Sequence, residues 1–172
     1  PAVGTGRRIA ALGAVAGEVH GDGIAQVAVT LFGEHELDGV LLTVVIVLRV
    51  LAIQQIAYVP DAGHTQLILD CHADAEMQAV SLTTEEEGVA MLAGAWLGGS
   101  RGALLMQSSG AGNCINMLSL AQECRFPLLM LITMRGEWGE FNPWQLTMGT
   151  STPKVLEQVG CVVHRVDKAD EI

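Results

Sequence analysis

The sequence predicts an α/β three-layer sandwich, a central parallel sheet covered by helices on both faces. Short, nearly continuous apolar runs such as Gly102–Gln107 and Leu128–Thr133 read as strands buried on both sides. They alternate with stretches of helical length, the pattern of strand–helix–strand units. Half of the 172 residues are hydrophobic, whereas 16% are charged and 4% aromatic, so the core is aliphatic and closely packed. A chain of this length forms one domain with a substantial core.

Residues 1–37 are rich in Gly and Ala, follow no clear period and receive no role; the domain is expected over 38–172. Arg7 and Arg8 ahead of Ile9–Ala16 faintly resemble a signal peptide, but that run is short and broken by glycine, so a cytoplasmic protein is expected. Val40–Ile53 is strongly apolar. Arg49 interrupts it, and it falls short of the roughly 20 residues that span a bilayer, so it reads as a buried helix and no membrane is expected. Gln55–Val59 is a short strand closed by the turn Pro60-Asp61-Ala62-Gly63. Gln66–Cys71 opens a helix, and Ala79–Leu82 is a second short strand.

Thr83-Thr84-Glu85-Glu86-Glu87 starts a helix, since Thr83…Glu86 and Thr84…Glu87 both fit the capping box. That helix runs to Leu97 and stops at Gly98-Gly99. Strand Gly102–Gln107 leads into the loop Ser108–Asn113, and a helix spans Cys114–Cys124. Strand Leu128–Thr133 precedes a long aromatic-bearing loop, Arg135–Gly149. Pro153–Val159 is a helix, Cys161–Val166 a strand, and Asp167–Ile172 the start of another helix. The loops after Val59, Leu82, Gln107 and Thr133 all follow strand carboxyl ends, where such sheets bind ligands.

A net charge of −10, with Lys154 and Lys168 the only lysines, argues against nucleic acid. An anionic substrate must then be held by a few specific donors. Cys71, Cys114, Cys124 and Cys161 lack the paired spacing of a zinc site and read as reduced, buried, small hydrophobes. No metal ligand is expected on this chain.

Two segments carry chemistry. Glu85-Glu86-Glu87 opens a helix that is apolar on nearly every side; the carboxylates suit a helix start, yet a carboxylate at the mouth of a buried helix is costly unless something pairs with it. Gln107-Ser108-Ser109-Gly110-Ala111-Gly112-Asn113 serves as a strand-to-helix turn, and its glycines equally let a flat ligand approach the backbone. It is not a P-loop, because the Gly-Lys-Ser/Thr ending is absent.

Together these segments resemble the pyrimidine-binding domain of thiamine-diphosphate enzymes. In that family a glutamate at a helix start is followed ten residues on by a small-residue–aromatic step, and then by a Ser-Gly-x-Gly-Asn-like loop. Glu86 and Trp96 have that separation here, and Ser109-Gly110-Ala111-Gly112-Asn113 supplies the loop. Ala95-Trp96 departs mildly from the commoner Gly-Tyr. Tyr58-Val59-Pro60-Asp61, Arg135-Gly136-Glu137 and Pro143-Trp144-Gln145…Met148-Gly149 narrow the likeness to sulfopyruvate and phosphonopyruvate decarboxylases.

The resemblance implies the thiamine-diphosphate-binding fold and makes Glu86 the acid that hydrogen-bonds the aminopyrimidine ring nitrogen. A register error of one residue would pass this role to a neighbouring glutamate. Ser109, Gly110, Gly112 and Asn113 would contact the cofactor. Asp61 and His64 sit near the substrate, although His64 and His72 equally suit a surface or a capped position. Arg135 would grip a sulfonate or phosphonate by two hydrogen bonds, or else pair with Glu137 or Glu140. The family's Gly-Asp-Gly…Asn-Asn segment for diphosphate and Mg2+ is missing, because Gly21-Asp22-Gly23 is followed by an Asn-free stretch, Val45–Leu51. Mg2+ and the diphosphate would therefore belong to a partner, a beta subunit or domain, in a hetero- or homo-oligomer. The expected reaction is decarboxylation of a small anionic 2-oxo acid. The alternatives are a carboligase of the acetolactate-synthase type and a catalytically silent binding or assembly module.

Overall fold

The computed structural model of the chain describes residues 26–31, 37–136 and 139–166. Its elements in chain order are β1 (Gln26–Leu31), α1 (Leu37–Val50), β2 (Ile53–Tyr58), a 3-10 turn (Ala62–His64), α2 (Thr65–Ala73), β3 (Gln78–Ser81), α3 (Glu85–Leu97) and β4 (Arg101–Gln107). Then follow α4 (Ser108–Cys114), α5 (Leu118–Cys124), β5 (Leu128–Thr133), a second 3-10 turn (Pro143–Gln145), α6 (Leu146–Gln158) and β6 (Val162–Val166). The strands form one six-stranded sheet in the order β3-β2-β4-β5-β1-β6, and every pairing is parallel. The expected α/β architecture is therefore present.

Alternation along the strands splits the core into two clusters. Val27, Val29, Ala103, Leu105, Leu129 and Leu131 face α1 and α2, where Val44, Val45, Leu48, Leu67 and Cys71 close the first layer. Ala28, Leu104, Met106, Leu128, Met130 and Ile132 face the other way, onto Val89, Leu92, Ala111, Leu118 and Leu156 of α3 to α6. Period-2 alternation with both sets apolar is what a strand covered on both faces requires. Among the described residues no helix is long and apolar enough to cross a membrane.

Four expectations need correction. Residues 26–31, placed in the stretch without a role, form β1 and lie inside the sheet between β5 and β6. The run is short and buried throughout Gln26–Thr30, so it has no amphipathic period to betray it. The glycine-rich "loop" after β4 is already helix from Ser108, and the helix expected over Cys114–Cys124 is two short ones. Helix α6 starts at Leu146 and carries Pro153 inside it, so the long loop after β5 ends earlier and the helix is longer than the proline suggested. Of the cysteines, Cys71, Cys114 and Cys161 are buried as expected, but Cys124 is exposed. The signal-like stretch and the last expected helix start lie outside the described residues.

Candidate active site at the carboxyl edge of the sheet

β2 and β4 are neighbours, yet the chain leaves β2 toward β3 and leaves β4 toward β5. Connections that depart in opposite directions open a crevice beyond the strand ends, the place where parallel sheets bind ligands. The residues at this point are Asp61, after β2, and Gln107, the last residue of β4. Asp61 caps the 3-10 turn, its Oδ2 accepting from the Gly63 N–H at 3.2 Å. Thr133 at the end of β5 donates its hydroxyl to the same oxygen at 2.6 Å, and Gln107 Nε2 donates to Oδ1 at 3.4 Å. One carboxylate thus ties together the ends of three adjacent strands. An open cleft of about 390 Å³ lies beside it, lined by Tyr58, Pro60, Ala62, Ile68 and Leu69 as well as Asp61.

The three consecutive glutamates of α3 have three different placements. Glu87 is exposed and turns back onto the helix start, accepting from the N–H groups of Thr83 at 3.0 Å and Thr84 at 3.5 Å. This is the capping register of Thr84 rather than of Thr83. Glu85 is buried and accepts from Asn113 Nδ2 at 2.9 Å. Its carboxylate lies against Gly110, where any Cβ would collide with it. Glu86 is half-buried, and its Oε2 is covered with no hydrogen-bond partner among the described residues. The Trp96 spacing pointed to Glu86, but the contact with the Ser-Gly-Ala-Gly-Asn segment belongs to Glu85. Helical geometry explains why: adjacent residues point about 100° apart, so a shift of one residue changes which carboxylate meets α4. Behind them, burial pushes the Cys114 thiol up to about 12, with the Glu85 and Glu86 charges adding to the effect, so it stays a neutral packing group.

Gln107 is the hub of the crevice. Its Oε1 accepts from Ser109 Oγ at 2.7 Å and from Gln145 Nε2 at 3.1 Å, while its Nε2 serves Asp61. Ser108, fully buried, accepts from the Arg135 N–H at 3.0 Å and so pins the β5–α6 connection to α4. Gly112 faces Met148 of α6 closely enough that a Cβ would touch the thioether. The candidate residues Asp61, Ser109, Gly110, Gly112, Asn113 and Arg135 therefore gather around α4.

Arg135 takes the ion-pair arrangement. Its Nε and Nη2 each meet a Glu140 oxygen at 3.0 Å, and Glu140 also accepts from the N–H groups of Gly136 at 3.2 Å and Asn142 at 2.9 Å. Those donors, the guanidinium foremost, hold the Glu140 carboxyl at about 2. The Arg135 side chain is still about 25% exposed. His64 is not on the cleft wall but fully buried, 4.0 Å from Asp61, with neither ring nitrogen hydrogen-bonded among the described residues. Burial pushes it down to about 4 against the pull of Asp61, so it is a neutral core imidazole at physiological pH. His72 accepts or donates a 2.9 Å hydrogen bond with the Tyr58 hydroxyl.

The pairing of Arg135 with Glu140 was one of the expected alternatives, whereas Thr133 and the hub roles of Gln107 and Gln145 were not foreseen. A lone polar residue ending an apolar strand was the available signal for Gln107 and Thr133. Nothing in the spacing joins either to Asp61, which is 46 residues from one and 72 from the other.

No family model matches the chain. It is 41% identical over 102 residues to the sulfopyruvate decarboxylase subunit alpha of Methanococcus maripaludis, a match covering 59% of this chain and 61% of that subunit. Against the corresponding subunit of Methanocaldococcus jannaschii the identity is 38% over 103 residues, again 61% of that subunit. Against the phosphonopyruvate decarboxylase of Streptomyces viridochromogenes it is 38% over 109 residues, 62% of this chain but 28% of that enzyme. The chain thus spans about three-fifths of the alpha subunits it matches and about a quarter of the longer enzyme. The expected likeness is found: over more than half its length the chain is similar to the alpha subunit of sulfopyruvate decarboxylase and to phosphonopyruvate decarboxylase.

Proposed function

We propose that this chain is the pyrimidine-binding half of a thiamine-diphosphate-dependent decarboxylase acting on a small 2-oxo acid that bears a second anionic group. The observation that carries this reading is the buried Glu85 carboxylate, locked onto Gly110 and Asn113 at the crevice of the sheet. The names of the similar proteins supply the substrate class, since sulfopyruvate and phosphonopyruvate both add an anionic group to pyruvate.

The residues present fit the pyrimidine end of the cofactor. Gly110 has no Cβ, and that space lets the Glu85 carboxylate lie against the backbone, while Glu86 Oε2 is a buried acceptor with no donor among the described residues. Among the described residues no group of His, Cys, Asp or Glu side chains can hold a metal ion. The diphosphate and Mg2+ are assigned to a partner subunit or domain, a reading that the alpha-subunit names of the relatives favour. When bound, thiamine diphosphate supplies the nucleophilic carbon and the electron sink that decarboxylation needs.

This chain then supplies a proton, an orientation and a grip. Glu85 shares a proton with the pyrimidine ring nitrogen, and Asn113 fixes which way its carboxyl faces. Asp61 does not bind an anion itself, because a carboxylate repels one and its oxygens already accept from Gly63, Thr133 and Gln107. It positions the cleft, with His64 buried behind it as support. Arg135 meets the distal anion by exchanging the Glu140 carboxylate, which holds its Nε and Nη2 in the unliganded chain, for the substrate.

Glu86 is the second reading for the acid, favoured by its unpartnered oxygen and the Trp96 spacing. Hydrogen–deuterium exchange at C2 of thiamine diphosphate, in the assembled enzyme, separates the two. Glu85→Gln should slow that exchange by about 10²- to 10⁴-fold, the usual worth of a general acid–base group, and Glu86→Gln should leave it within threefold. The reverse result moves the role to Glu86. If neither substitution slows exchange, the cofactor reading is wrong.

A further inference from the structure

Gln145 belongs to the Pro-Trp-Gln pattern, which the proposed chemistry leaves without a task. Its side chain is 96% buried at the entry to α6, being only 4% exposed. Its orientation is dictated by its neighbours. The Asp61 carboxylate can only accept, so Gln107 must turn its NH₂ toward Asp61 and its oxygen the other way. That oxygen receives the Ser109 hydroxyl and Gln145. Gln145 must therefore present its own NH₂, because turning it over would set two amide oxygens against each other. Its Oε1 is then forced outward from the hub, and it is a buried acceptor with no donor among the described residues. A buried polar atom left unpaired is costly, so its persistence calls for a donor from outside the chain.

The donor's chemistry can be narrowed. A 2-oxo acid with a second anionic group offers carboxylate, ketone and sulfonate or phosphonate oxygens, which are acceptors apart from the one hydroxyl of a singly protonated phosphonate, and an anion is a poor neighbour for an amide oxygen. An aminopyrimidine carries an exocyclic amine, a neutral N–H donor. Gln145 stands beside the Ser109–Asn113 helix through Gln107 and Ser109, the same helix that Glu85 grips through Asn113. Trp144 and Leu146 on either side of it are exposed at 69% and 42%, so it lies one residue from solvent along the chain in both directions.

We infer that the side-chain oxygen of Gln145 accepts a hydrogen bond from the amine of the bound aminopyrimidine, a contact to the cofactor rather than to the oxo acid. The inference rests on the pyrimidine-binding reading above. Its test is binding, read by calorimetry with thiamine diphosphate and magnesium on the full chain assembled with its diphosphate-binding partner. Gln145→Met keeps the volume but removes the acceptor, and should raise the dissociation constant about tenfold. The same substitution should leave the affinity for 4′-oxo thiamine diphosphate, whose pyrimidine carries no amine, within threefold of the unaltered protein. Thermal unfolding of Gln145→Met within a few degrees of the parent confirms that the fold is intact. Equal weakening for the two cofactors means that the bond to Gln107 is what matters, and no weakening for thiamine diphosphate means that the oxygen meets nothing; either result overturns the contact. If the unaltered protein itself fails to bind thiamine diphosphate, the pyrimidine-binding reading falls and this contact with it.

Discussion

The interior of the sheet and its carboxyl edge are built from the same strands on opposite principles. Within β4, Ala103, Leu104, Leu105 and Met106 are all fully buried, and each belongs to the apolar cluster of its own layer. One residue further on, Gln107 makes hydrogen bonds to Asp61, Ser109 and Gln145. In the interior the attraction is non-directional and shared among many contacts, so volume matters more than identity. At the edge the hydrogen-bonded polar atoms have one or two partners at fixed angles, and identity is everything. Damage to the interior should therefore appear as lost stability with the site geometry kept. Damage at the edge should appear as lost function on a chain that still folds.

Truncating the interior is the strongest way to break that contrast. Leu104 is fully buried in the cluster that Val89 and Leu92 of α3 share, with its side chain against Gly88 of that helix. Leu104→Ala should cost about 2–5 kcal/mol, the lost transfer energy plus the cavity left behind. Leu104→Met, which keeps the volume, should cost less than about 1.5 kcal/mol. Urea unfolding measures both. Equal costs for the two would mean that this face is loosely packed, contrary to the description given.

Titration separates two polar elements of the edge by their pH windows. His64 is lowered by burial from 6.5 to about 4, partly offset by Asp61. The unfolded chain then binds the proton more readily than the folded one between those values. Stability is complete above about pH 6.5 and falls as the pH drops toward 4, by about 3 kcal/mol in total. Glu140 is lowered from 4.5 to about 2, first by the Arg135 guanidinium and next by the Asn142 N–H. Its contribution is present above about pH 4.5 and is lost on descending through pH 2. Unfolding midpoints measured against pH should show His64→Leu flattening the upper window alone, and Glu140→Gln the lower one alone. A single window moved by both variants would mean that the two sites are coupled, and that the edge behaves as one unit.

The same contrast governs what could be read in the sequence. The strands β4 and β5, the helix start at Thr84 and the stop at Gly98 were legible because each is a local pattern, an unbroken apolar run, a capping box or a glycine stop. β1 was hidden because Gln26 and Thr30 cut its unbroken apolar run to Val27–Val29, too short to stand out, and its glycine-bearing flanks gave it no frame. The start of α6 was hidden because Pro153 reads as a first-turn residue, although the fold tolerates it in the interior. At the site, the Ser109–Asn113 segment and Asp61 were visible as motifs. Which glutamate meets that segment was not, because the answer depends on the rotation of α3 against α4. The Asp61–Thr133 bond, spanning 72 residues, exists only once the sheet order is known.

The smallest expected effect lies at the outer rim of the edge, and it sharpens the distinction between fold and function. Phe141 is 92% exposed and Trp144 69%, while the backbone around them is tied down by Glu140 through Arg135, Gly136 and Asn142. The clasp, not the aromatic rings, shapes this loop. Phe141→Ser removes apolar surface that the isolated chain leaves in water, so it should change stability by no more than about 0.5 kcal/mol. Burial is where such a ring contributes, at about 25 cal/mol per Å². If the proposed diphosphate-binding partner covers the rim, the loss appears in the affinity of assembly and not in unfolding of the chain. Urea denaturation of the lone chain and sedimentation of the mixed chains measure the two quantities independently. A drop in the lone chain's stability comparable to that of Leu104→Ala would mean that the rim is part of the core, and the division between interior and edge would have to be redrawn at Glu140.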